Sequence, residues 1–153
     1  MRIYRPPPLS VAQQYFALRS NPICAGEGQV RRGALTWEYE VQPSLLSRTY
    51  SVRIAYRVGE KPQVLVRSPS LVELARPRSL PHVYQQNPPL LCLYRSTKGD
   101  WSARRRLDQT IVPWTALWLF FFEDWLASNE WKGGGEHPGD VDKPRRDLEP
   151  EER

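Results

Sequence analysis

At 153 residues the chain has room for one compact domain that buries about two-thirds of its unfolded surface, which excludes a two-domain enzyme. Lys and Arg number 22 against 17 Asp and Glu, and the resulting charge of +5 attracts acidic partners without singling out nucleic acid. A 40% hydrophobic content with six Trp excludes a chain disordered throughout, and 15 Pro, about twice the roughly 5% average usage, disfavour long uninterrupted helices.

The Pro-rich start, Pro6-Pro7-Pro8, leads into Leu9-Ser10-Val11-Ala12-Gln13, where Ser10 can cap a helix and Gln13 stands three residues on to close a capping box. Val11, Tyr15 and Leu18 form its apolar stripe, and Asn21-Pro22 ends it. The period then changes to two. Leu35, Trp37, Tyr39 and Val41 alternate with polar or small neighbours, and after Gln42-Pro43-Ser44 a second alternation places Tyr50, Val52, Ile54, Tyr56 and Val58 on one side. Gln63 to Arg67 makes a third strand, so the spacing predicts a three-stranded antiparallel meander followed by a long irregular path through Pro69, Pro77 and Pro81.

From Trp114 to Ala127 apolar residues recur at helical spacing and also fill most remaining positions, which predicts a central buried helix with Trp114, Trp118 and Trp125 in the core. Thr110 or the residues just after it can cap this helix, with Pro113 in its first turn. Trp131 and Gly133-Gly134-Gly135 then stop it. Residues 139–153 carry six acidic and four basic residues with Val141 and Leu148 as the aliphatics, and are expected to be disordered, leaving a domain over 1–138.

Two cysteines are too few for a disulfide framework, and no Cys/His spacing suits zinc. The N-terminus lacks a secretory apolar core and the longest apolar run is too short to span a bilayer, so a cytoplasmic protein with reduced thiols is expected. Arg104-Arg105-Arg106 is a basic cluster without interleaved aromatics; it suits an acidic partner better than nucleic acid. No Gly-rich phosphate loop and no cofactor motif is present.

Chemistry centres on Cys92, in Leu90-Leu91-Cys92-Leu93-Tyr94. Either it is a core thiol behaving as a small hydrophobe, or it is a nucleophile, with His82 and Asn87 upstream on the same Pro-rich approach as candidate supports. Asp100 and Asp108 lie downstream, where a carboxylate can stabilise or deprotonate an incoming ammonium, although Asp108 also suits a helix N-terminus. Cys24 has no supporting context and reads as inert.

The succession of a helix, a meander, Pro81-His82-Val83-Tyr84, Leu91-Cys92-Leu93-Tyr94, Trp101, Leu107 to Ile111 and a following helix resembles ubiquitin-conjugating enzymes, with Cys92 where their acceptor cysteine falls. More closely, Thr110-Ile111-Val112-Pro113-Trp114, Trp118-Leu119 and Trp131 to Pro138 look like the bacterial ubiquitin-conjugating-like proteins encoded beside cyclic-oligonucleotide synthases in antiphage defence operons (CBASS). The resemblance implies an α+β domain of ubiquitin-conjugating type. It also implies that Cys92 carries a protein C-terminus as a thioester, that the synthase (a CD-NTase) is a partner, and that an activating enzyme or an acceptor protein completes the exchange. The family's His-Pro-Asn order is not kept: Pro81-His82 is reversed, and Asn87 is the candidate substitute for the missing Asn. A non-catalytic protein-binding module of the same fold and a Cys-dependent hydrolase using His82 are the alternatives.

Overall fold

The computed structural model describes residues 2–94 and 99–133; His137 and the expected disordered tail lie outside the described residues. Helix α1 (Val11–Ser20) begins with the expected capping box: Ser10 Oγ accepts from the Gln13 amide and Gln13 Oε1 accepts from the Ser10 amide. It ends at Asn21, and a 3-10 turn (Pro22–Cys24) follows.

The expected meander is there, enlarged into one antiparallel sheet of six strands: β1 (Gly26–Arg31), β2 (Ala34–Val41), β3 (Tyr50–Arg57), β4 (Gln63–Ser68), β5 (Val83–Gln85) and β6 (Leu90–Leu91). Their spatial order is β1-β2-β3-β4-β6-β5. β1 has no apolar alternation, and all six of its residues are exposed, so periodicity cannot announce it. What makes it is a two-residue turn in which Arg32 (φ 51°) and Gly33 (φ 73°) both take left-handed backbone, the twist that suits a tight hairpin. Gly28 then lets β1 approach β2, because a Cβ there would sit 2.0 Å from the Thr36 carbonyl oxygen.

Register puts the alternating apolar residues on one face: Leu35 opposes Tyr56, Trp37 opposes Ile54, Tyr39 opposes Val52, and Val52 and Ile54 oppose Val66 and Val64. All eight are buried. Val58, expected with them, falls beyond the end of β3 and is exposed. On the opposite face Glu38 sits between Arg53 (3.9 Å) and Arg67 (2.8 Å), an exposed cluster that contributes little.

Helices cover the apolar face. α1 rests on β1 and β2, with Tyr15 edge-on to Trp37 at 5.8 Å. Its buried Gln14, outside the apolar stripe, receives the Leu107 amide on Oε1 (2.9 Å) and donates from Nε2 to the Arg105 carbonyl (2.9 Å), so one amide satisfies two backbone groups of a segment 91 residues away. The path after β4, expected to be irregular, contains the short helix α2 (Leu71–Ala75) and then the β5–β6 hairpin.

Helix α3 (Ile111–Ser128) is the main cover. Thr110 stands at its N-cap position, but its hydroxyl donates to the Arg106 carbonyl and accepts from the Trp101 indole, so it does not cap the helix amides. The expected all-round burial is corrected: Trp118 and Trp125 are core, whereas Trp114 is half-buried and Leu117 and Phe120 are exposed. Asn129 in left-handed backbone stops the helix before Trp131 is reached.

The last turn of α3 is held from outside by Arg78, whose guanidinium donates to the carbonyls of Trp125 and Leu126 and to Asn129 Oδ1, and lies 4.2 Å from the Trp125 ring. Arg78→Ala strips these carbonyls of their cation and is expected to cost about 2 kcal/mol in denaturant unfolding, with Arg78→Lys recovering less than half because an ammonium cannot reproduce the planar fork. Equal stability of wild type and Arg78→Ala would show that water caps the helix as well.

Candidate active site

Cys92 follows directly on β6 at the open end of the β5–β6 hairpin, opposite His82, whose carbonyl receives the Cys92 amide at 3.0 Å. The same carbonyl accepts the buried Trp118 indole N–H at 3.1 Å. Two elements thus meet on one oxygen: the strand that carries the thiol and the helix that covers the sheet. His82 itself is buried, has φ 48°, and stacks its imidazole on Trp131 at 4.9 Å. Trp131 in turn packs on Trp118 (5.4 Å) and Phe121 (6.1 Å), which gives Trp131 a place beside the cysteine loop rather than a helix-stopping role.

Cys92 is partly exposed and lines an open groove of about 430 Å³. The groove's apolar lining comes from Tyr94, Trp114, Leu117, Trp118, Phe121 and Trp131, and its polar lining from Asp100 and Arg105. Arg105 is fixed there, with its guanidinium 5.2 Å from the Trp114 ring and one nitrogen donating to the Asp100 carbonyl.

The other candidates lie elsewhere. Asn87 is exposed in the connection between β5 and β6, at the far end of the hairpin from Cys92. The hairpin's root is tied instead by Gln86, whose amide exchanges two hydrogen bonds with the backbone of Leu80. Asp108 is fully buried in a 3-10 turn (Leu107–Gln109), where Arg106 reaches it at 2.7 and 3.0 Å and Asn21 Nδ2 donates to it at 3.0 Å. Burial pushes the Asp108 carboxyl up, but the hydrogen bonds from Arg106 and Asn21 and the guanidinium charge outweigh it and hold the group below the usual carboxylate range. Neither Asn87 nor Asp108 is among the residues lining the groove; Asp100 is.

Cys24 is the contrast to Cys92. Its sulfur is fully buried, donates to the Leu18 carbonyl at 3.4 Å, and is pushed up to about 11 by burial and by the nearby Asp108 charge, so it stays a thiol at neutral pH. Tyr50, placed by its alternation on the apolar face of β3, is a second buried group. It donates to Glu123 at 2.9 Å, and Ser47 donates to the same carboxylate, pinning the β2–β3 connection to α3. Among the described residues no helix is long and apolar enough to cross a membrane.

An antiparallel sheet covered by helices defines an α+β protein in which one thiol is partly exposed at the lip of a groove and the other is buried. The chain belongs to the Type II CBASS E2 protein family (E2-CBASS), whose model matches residues 14–138. A comparison with curated proteins finds no match. The six-stranded sheet with its covering helices is compatible with the ubiquitin-conjugating type of fold that the sequence resembles.

Proposed function

We propose that this protein carries the C-terminal acyl group of another protein as a thioester on Cys92 and passes it to an amine, with the cyclic-oligonucleotide synthase of its defence system as the protein so carried. The observation that carries this reading is the contrast between the two thiols: Cys92 is partly exposed at the lip of a groove, while Cys24 is enclosed and held protonated. Family membership supports a role in CBASS.

In the loading step the Cys92 sulfur attacks an activated acyl carbon and the activating group leaves. In the transfer step an amine nitrogen attacks the thioester carbon, a tetrahedral oxyanion forms, and the C–S bond breaks to return the Cys92 thiol. A thioester is already an activated acyl group, so the chain's task is to hold the sulfur accessible and in register, and the His82 carbonyl does so by fixing the Cys92 amide.

Expression with the neighbouring genes, followed by non-reducing electrophoresis and mass spectrometry, tests this. Wild type is expected to give a thiol-sensitive adduct and Cys92→Ser a thiol-resistant ester of the same mass, while Cys24→Ala leaves the adduct in place. Absence of any adduct, with Cys92 reactive to alkylating agents and the partner genes present, would favour a non-catalytic binding module.

A further inference from the structure

We propose that the groove beside Cys92 is a specificity subsite that takes one large apolar side chain, Leu or aromatic, from the last few residues of the carried protein. This rests on the thioester reading above and adds to it the class of C-terminus that loads well.

The occupant follows from covalent geometry. Once an acyl group is bonded to the Cys92 sulfur its last carbonyl is fixed there, and each preceding residue moves the chain on by at most about 3.3–3.6 Å. The final residues must therefore run along the surface adjoining the sulfur, and that surface is the groove lined by Trp114, Leu117, Phe121 and Trp131. A volume of about 430 Å³ lies within the roughly 300–1,000 Å³ range of sites that take small ligands, and is ample for a large side chain and its flanking backbone.

Leu117 is 52% exposed on a helix whose other face is buried core, and it lines the groove together with the half-buried Trp114. Leu117 lies outside the core and Trp114 packs against it with one side only, so both present apolar surface beside the thiol. An apolar residue laid against them is removed from water, whereas a charged one is stripped of hydration and finds, among the described lining residues, one Asp100 and one Arg105 side chain. The wall is also tight. A Cβ on Gly133 would stand 2.8 Å from the Phe121 ring and 2.9 Å from the Trp131 indole nitrogen, so both rings close on the Gly133 backbone.

Synthetic peptide thioesters test the subsite without an activating enzyme. The probes are acetyl-Gly-Phe-Gly and acetyl-Gly-Gly-Gly as thioesters of mercaptoethanesulfonate, and loading is followed by intact mass. The Cys92 sulfur forms the new C–S bond, the old one breaks, and mercaptoethanesulfonate leaves with the proton that Cys92 gives up, with no net oxidation or reduction. The Phe probe is expected to load about tenfold faster than the Gly probe at subsaturating concentration, as burial of one large apolar side chain predicts. In Leu117→Asp the ratio between the probes is expected to fall toward one. Equal loading of both probes by wild type, or an unchanged ratio in the variant, would overturn the subsite while leaving the thioester reading intact. Loading by neither probe, with Cys92 still alkylated by iodoacetamide, would overturn the thioester reading and the subsite with it.

Discussion

Trp37→Ala is expected to lower unfolding free energy by about 4 kcal/mol, within the range for truncating a large aromatic in a core, and to shift the thermal midpoint down by roughly 2–4 °C per kcal/mol. The indole is 2% exposed, stands at the centre of the sheet's covered face opposite Ile54, and meets the edge of Tyr15 from α1. Its N–H also donates to the Cys24 carbonyl at 3.0 Å, which joins the sheet to the 3-10 turn after α1. Trp37→Phe separates the two contributions. It keeps most of the packing but strands a buried carbonyl, and is expected to cost about 1–3 kcal/mol. Chemical denaturation of the three proteins checks this; a Phe variant as unstable as the Ala variant would assign the loss to the hydrogen bond instead of to burial.

Asp108→Asn is expected to cost about 2–3 kcal/mol at pH 7, because it removes the charge from a buried carboxylate that holds Arg106 and Asn21 together. The partner Arg106 side chain is 44% exposed, so the pair is screened and the upper part of the range for buried pairs does not apply. The pH dependence has a definite sign. A carboxyl held below its ordinary value contributes fully above about pH 4 and loses that contribution as pH falls through its lowered folded value. Wild type and Asp108→Asn should therefore differ most near neutrality and converge on acidification below pH 4 in denaturant unfolding. If the variant were instead as stable as wild type at pH 7 but formed no adduct, a direct role in transfer would be indicated for Asp108.

Much of the sheet and both long helices were legible because burial on one face imposes a period. Leu35 to Tyr39 and Tyr50 to Tyr56 announce their strands by alternation, and Ser10 with Gln13 announces the start of α1. β1 was not legible, since an exposed edge held by backbone pairing and a left-handed turn leaves no apolar signature. β5 and β6 were hidden by their shortness and by the prolines between them. Cys92 and His82 stand in one stretch of the sequence, and a backbone hydrogen bond links them in the structure. The groove could not be foreseen: Trp114, Leu117 and Phe121 carry the same helical spacing as the core residues beside them, and spacing alone does not say which apolar positions of a nearly all-apolar helix remain uncovered.

The Pro-rich lead is not a loose end. The Leu9 amide donates to the Ala103 carbonyl at 2.8 Å, and Arg104 donates to the Pro6 carbonyl at 2.9 Å, which straps the lead across the segment that carries Arg105. Tension or crowding applied near residue 6 is therefore delivered to one wall of the groove. An affinity handle or fluorophore joined there would report on, and disturb, the groove beside Cys92, whereas the side chains of Leu45 and Leu46 in the β2–β3 connection are fully in solvent and offer a quieter position for a reporter.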